Sequence, residues 1–296
     1  MTTNDLGQKI RAFIGDGSCV IIEPSASFSA NLQTCLADMG VPLSQVSTFR
    51  RFDEALQFIR TAKPKLLVTE YDIPRGSGLA LVEAQEALFE EEDRISIMVT
   101  RNSSDSAVAQ SAEGAVDAFI LKPFSTDVFR AKTNEVFERK LNPSPYELKL
   151  REARKLLVQK DFEAALLVAQ DAKALEAKPS MACYYAGLAL KEQGRQDEAL
   201  NEFREGLLHH SLHYKCLIGE LEVLMDRKDY ATAYQSIPQI RHHYPVTTQR
   251  LGQFLIAAVF TYHFDDLPDY YQLFVDAEDR TPWLTELIGL ALLTAG

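Results

Sequence analysis

The segment Leu141-Asn142-Pro143-Ser144-Pro145 divides the chain. Two prolines this close resist helix and favour an extended connection. The hydrophobic period differs on either side, so the two parts must bury their apolar residues in different ways. Before the break, short β-branched apolar runs alternate with amphipathic stretches. After it, everything reads as helix.

The runs before the break are Cys19–Glu23, Leu66–Thr69, Ile95–Thr100 and Ala118–Leu121, with a weaker one near Val46–Phe49. Their near-continuous apolarity fits strands covered on both faces. Helical periodicity fills the intervals, as in Arg50–Ala62 and Gly78–Glu90. Five strands and about five helices predict a doubly wound α/β domain with a parallel sheet. In that architecture chemistry gathers at the carboxyl ends of the strands. The residues there are Glu23, Glu70, Thr100 and Lys122.

After the break a 34-residue period emerges. One window supplies Gly187, Leu190, Gly194, Ala199, Phe203 and Gly206. One period earlier stand Ala153, Leu156, Ala165 and Ala172, and one period later Leu221, Leu224, Ala233 and Ile240. The turns recur as Lys160-Asp161-Phe162, Gly194-Arg195-Gln196 and Lys228-Asp229-Tyr230. Small residues allow helices to approach closely, and large ones fill between them. A fourth unit, about 248–281, is degenerate, with His263-Phe264-Asp265 in its turn and Pro268 opening its second helix. A further helix begins at Pro282-Trp283. Its end, LIGLALLTAG, is apolar where a polar cap is usual, so either the array continues or this helix meets a partner. Pro238 is expected to kink its helix.

This pattern resembles the tetratricopeptide repeat, at about four repeats plus a further helix. The resemblance implies an all-α solenoid whose groove, built mainly from the first helix of each unit, binds a partner protein. Candidate lining residues are Tyr184, Leu188, Lys191, Lys215, Gly219 and Glu222. Some of these positions also suit packing between neighbouring repeats.

Composition excludes several classes. The chain of 296 residues has a net charge of −11, spread over both halves, which argues against a dedicated nucleic-acid binder. Nothing after the break reads as a helix-turn-helix with a basic face. There is no Gly-rich phosphate loop, GxSxG or HExxH, so no enzyme is expected. The four cysteines, Cys19, Cys35, Cys183 and Cys216, form no CxxC pair and read as reduced thiols of a cytoplasmic protein. The first residues lack a signal-peptide core, and no apolar run reaches membrane-spanning length. His209, His210, His213, His242 and His243 fall near helix ends, where they suit exposed carbonyls. With no supporting cysteine-and-carboxylate set in view, no metal is expected there.

The first part carries a second resemblance. LLVTEYDIPRGSG, with IIEPS upstream and MVT and LKPF downstream, resembles the receiver domain of two-component response regulators, a flavodoxin-like fold, over roughly residues 17–140. Thr100 matches the hydroxyl residue that binds the phosphoryl group, and Lys122-Pro123 the pair whose lysine contacts phosphoryl oxygens. Phe119 matches the aromatic switch position, and Pro74 and Gly78 match the loop after the phosphoacceptor strand. Three positions depart from the family. Glu70 replaces the phosphoacceptor Asp. Pro24 leaves Glu23 alone where two acidic residues usually hold Mg²⁺. Arg101 replaces a small residue beside the hydroxyl and is expected to pair bidentately with Glu70.

Phosphotransfer to a carboxylate needs a fixed nucleophile and a metal. Proline supplies no side-chain oxygen, so the Mg²⁺ site is expected to be weak or absent, and no other cofactor is implied. The expected organisation is an N-terminal extension (1–16), a receiver-like domain (17–140), a linker (141–146) and a repeat domain (147–296). The expected function is a non-catalytic adaptor of a two-component system. Its receiver is not phosphorylated, or mimics phosphorylation through Glu70, and its repeats bind a partner. Residues 103–140 are a candidate homodimer surface. The alternative is a working response regulator, phosphorylated on Glu70 or Asp72 and signalling through the repeats.

Overall fold

The computed structural model describes residues 3–101, 116–244, 246, 248–276 and 281–295. The chain divides into two compact units, Met1–Ser144 and Pro145–Gly296.

In the first unit, β1 (Cys19–Ile22), β2 (Val46–Phe49), β3 (Leu66–Thr69), β6 (Ile95–Thr100) and β7 (Ala118–Leu121) form one sheet in the order β2-β1-β3-β6-β7. All four pairings are parallel. Between β3 and β6 lies a small antiparallel hairpin, β4 (Asp72–Ile73) and β5 (Gly76–Ser77).

Alternate residues of each strand enter different cores, which is why the strands read as continuous apolar runs. Cys19, Ile21, Leu66, Val68, Ile97 and Val99 face one side. There they meet α1 (Thr3–Ile14), α2 (Ala26–Asp38) and α5 (Thr126–Leu141), through residues such as Ile14, Leu36 and Phe137. Val20, Ile22, Leu67 and Met98 face the other side, under α3 (Phe52–Ala62) and α4 (Gly78–Glu86). The doubly wound architecture of the sequence reading is therefore present.

The N-terminal residues form part of this unit. Ile10 and Ile14 are buried in the first core, and Phe13 packs edge-on against Phe137 with ring centres 5.9 Å apart. Their spacing places them on one helical face, a signal too short to stand out from a tail. Half of the expected linker is also helical. Helix α5 runs to Leu141 and α6 (Pro145–Val158) starts on the second proline, a favoured first-turn position.

The second unit is a series of helix pairs. First helices are α6, α8 (Ser180–Glu192), α10 (Tyr214–Asp226) and α12 (Thr248–Phe260). Second helices are α7 (Phe162–Lys173), α9 (Gln196–His209), α11 (Tyr230–His243) and α13 (Leu267–Asp276), followed by α14 (Pro282–Ala295). Lys160, Gly194, Lys228 and Tyr262 all take positive φ, between 59° and 76°, at the turn inside each pair. The 34-residue period thus appears in the backbone, and three non-glycine residues occupy the left-handed conformation.

Phe203 fills the space between α8 and α10. A Cβ on Gly187 or Gly219 would approach its ring to 2.6 or 2.5 Å. Gly219, expected to line a groove, is instead an interior packing position. Helix α11 is continuous from Tyr230 to His243 across Pro238. Among the described residues no helix is long and apolar enough to cross a membrane.

Candidate functional site

The strand order reverses between β1 and β3, which opens the ligand crevice of this architecture at their carboxyl ends. Ile22 pairs with Thr69 in register, so the next residues, Glu23 and Glu70, stand side by side. The Glu70 N–H donates to the Ile22 carbonyl at 2.9 Å, extending the ladder by one residue. On the far side Thr100 pairs with Leu121, and the Lys122 N–H donates to the Thr100 carbonyl at 2.7 Å. Four residues distant in sequence are thereby gathered by sheet register alone.

Lys122 Nζ bridges the two carboxylates. It donates to Glu70 Oε2 at 2.6 Å and makes a short contact with Glu23 Oε2. The remaining carboxylate oxygens are also engaged. Glu23 Oε1 accepts the Ser25 N–H at 2.9 Å, and Glu70 Oε1 accepts the Tyr71 N–H at 2.8 Å. All three side chains are withdrawn from solvent, as is Thr100. The Phe28 ring lies 4.8 Å from Lys122 Nζ and stabilises the ammonium from one side.

Gly78 closes the cluster from below. Its N–H donates to the Tyr71 carbonyl at 2.8 Å, and a Cβ there would sit 2.1 Å from the Glu70 carbonyl oxygen. Only glycine lets the start of α4 approach the Glu70 backbone this closely.

Arg101 differs from expectation. It makes no ion pair with Glu70. Its guanidinium lies over the Phe28 ring, 5.7 Å from the ring centre. Glu70 is already held by Lys122, a shorter and more buried partner, so the arginine stays at the exposed mouth. Phe119, opposite Met98 on β7, is half-buried against the second core. Asp72 is exposed on the hairpin, where its backbone pairs with Ser77. Of the surface expected at 103–140, residues 103–115 lie outside the described residues.

The Mg²⁺ implied by the resemblance does not fit these residues. Glu23 has one oxygen on a backbone N–H and the other on Lys122, and Pro24 adds none. A hexacoordinate ion would have to displace a buried ammonium to gain one oxygen.

Residues 19–134 match the response regulator receiver domain model. This segment is a receiver domain. Over 85 residues it is 27% identical to the chemotaxis protein CheY of Pseudomonas aeruginosa, covering 29% of this chain and 68% of that protein. Over 72 residues it is 33% identical to a CheY homolog of Campylobacter jejuni, covering 24% of this chain and just 55% of the relative. Two solved structures are also similar. The BeF3-activated DrrB receiver domain has a TM-score of 0.36 at 19% identity, over 42% of this chain and 98% of that one. Full-length FixJ from B. japonicum has a TM-score of 0.38 at 14% identity, over 65% and 98% of the two chains.

In the second unit, the expected groove residues contact one another. Lys191 Nζ donates to Glu222 Oε2 at 2.7 Å, and Arg250 Nη1 donates to Glu222 Oε1 at 2.9 Å. These residues lie on α8, α10 and α12, so the network ties three consecutive first helices. Burial alone would push the Glu222 carboxyl up, but Lys191 and Arg250 outweigh it and hold the group below the usual range. Lys215 Nζ lies 5.8 Å from the centre of the Tyr184 ring, and Leu188 is half-buried on α8. The sequence reading missed Arg250 and Phe28, since no motif marks either.

His213 also differs from expectation. It caps the start of α10, where its Nδ1 accepts the Cys216 N–H at 3.3 Å. Burial, with His210 and Lys215 nearby, pushes its pKa down to about 4. It is therefore a neutral acceptor at a helix N-terminus, and not a cation at a C-terminus.

Proposed function

We propose that this protein is a non-catalytic adaptor of two-component signalling, with a receiver that does not run a phosphorylation cycle and helical repeats of the tetratricopeptide type that bind a partner protein. One observation carries the reading of the receiver: Lys122 Nζ is held between the Glu23 and Glu70 carboxylates. In the family this lysine meets phosphoryl oxygens. Here its charge is already neutralised, and the buried cluster of two carboxylates and one ammonium is net negative. An incoming phosphoryl dianion would face two carboxylates with no metal to offset them.

Glu70 reaches the lysine through its extra methylene, and so takes a place a phosphoryl oxygen would otherwise occupy. The receiver then acts as a fixed surface, and the repeats select the partner. Lys191, Glu222, Arg250, Tyr184, Leu188 and Lys215 supply charged, aromatic and apolar contacts along the first helices. A homodimer through β7 and α5, and a cytoplasmic location, complete the reading.

The test is incubation of the full chain with a small acyl phosphate and Mg²⁺, read by intact mass. No phosphorylated species is expected. A stoichiometric, base-labile phosphoryl adduct that disappears in Glu70→Gln would overturn the reading and favour a working regulator.

A further inference from the structure

The receiver cluster leaves unused a set of residues on the second helix pair. Glu205 and His209 are one turn apart on α9, which places both side chains on the same face. Cys183 lies opposite them on α8. The close approach is made by Gly206, where a Cβ would come within 3.2 Å of Cys183 Cβ and 2.6 Å of Cys216 Sγ. As a result the donor atoms of Cys183, Glu205 and His209 all lie within 4.8 Å of one another. This is the cysteine-and-carboxylate set that the linear sequence did not reveal around the histidines.

We propose that the second helix pair binds one divalent ion of the zinc class through Cys183 Sγ, a Glu205 carboxylate oxygen and a ring nitrogen of His209. A thiolate, an imidazole and a carboxylate are the donor types such an ion takes, and three protein ligands leave a fourth position for water. Metal–ligand bonds of about 2.0–2.3 Å require the donors to close to about 3.5 Å apart. Glu205 and His209 are half-buried near the end of α9 and can adjust, while Cys183 is fixed in the interior.

Lys173 of α7 now occupies the carboxylates, donating to Glu205 at 2.7 Å and to Glu202 at 2.9 Å. Metal binding transfers Glu205 from the ammonium to the ion, and Glu202 retains Lys173. The Cys183 thiol gives up its proton to solvent as the sulfur–metal bond forms. His209 contributes the lone pair of a ring nitrogen. Cys216 takes no part, since its thiol donates to the Ser180 carbonyl at 3.5 Å.

The experiment titrates chelator-stripped full chain with Co²⁺ and then Zn²⁺. One equivalent of Co²⁺ is expected to give a thiolate-to-cobalt charge-transfer band in the near ultraviolet, which Zn²⁺ removes. Cys183→Ser should abolish the band. His209→Gln, at a half-exposed position that leaves the interior intact, should weaken affinity by about 100-fold or more. Lys173→Met should strengthen it by removing the competing cation. Absence of the band in the wild-type chain would overturn the proposal. So would wild-type affinity in a folded His209→Gln, even if Cys183→Ser fails to fold.

Discussion

Replacing Lys122 by Met removes the one cation shared by two buried carboxylates. The substitution roughly conserves the length and apolar stem of the side chain, so the loss is chiefly electrostatic. The Glu23 and Glu70 side chains are only 3% and 10% exposed, so little water can replace the ammonium. Removing one partner of a buried ion pair costs about 3–5 kcal/mol, against about 0–1 kcal/mol for a surface pair. Stranding two carboxylates together places this case at the upper end. At about 3 °C per kcal/mol for a unit of this size, the first unit's melting transition should fall by roughly 10 °C or more. Calorimetry of the full chain reads this, because the second unit's transition should not move. Lys122→Met combined with Glu70→Gln should recover much of the loss, since one carboxylate then remains. A shift of only a few degrees, with no recovery in the double variant, would refute the reasoning and mean that the cluster is solvated.

Other perturbations test separate parts of the structure. Gly78→Ala should destabilise the first unit by about 1–3 kcal/mol, because the new methyl meets the Glu70 carbonyl and the backbone must move; denaturant midpoints check this. Asp229→Ala should cost the second unit about 1 kcal/mol, because it loses the cap that accepts the Thr232 N–H at 3.3 Å, again read by denaturation. His213 has its folded pKa lowered, to about 4, from an ordinary 6.5. Between these values the unfolded chain binds the extra proton, so the stability His213 gives is full above the upper value and is lost as pH falls through the window. Melting of the second unit should therefore decline across this range in the wild type and less so in His213→Asn, which keeps a capping acceptor.

The parts of the fold that were legible in sequence are those where one physical demand acts on every residue of a segment. Strands β1, β3 and β6 are buried on both faces, so their residues are apolar apart from the buried Thr69, Ser96 and Thr100, and their limits follow from the sequence to within one residue. The repeats were legible because each turn asks again for the same small and large residues. Helix α1 was not, since Ile10, Phe13 and Ile14 are the apolar side chains that carry its buried face among the described residues. The gathering of Glu23, Glu70, Thr100 and Lys122 followed from strand ends. The choice of partner did not: Arg101 and Lys122 both follow strand ends, and it is Lys122, set by the register of β7, that meets Glu70. Likewise, Cys183 and His209 are separated by a helix turn and the close approach at Gly206, which no local pattern announces.

The most direct test of the central claim is phosphotransfer itself. The full chain, incubated with excess acyl phosphate and Mg²⁺ and weighed intact by mass spectrometry, should remain unmodified, and so should Glu70→Gln. A base-labile phosphoryl adduct on the wild-type chain, absent from Glu70→Gln, would show that Lys122 is released to catalysis and would contradict the account.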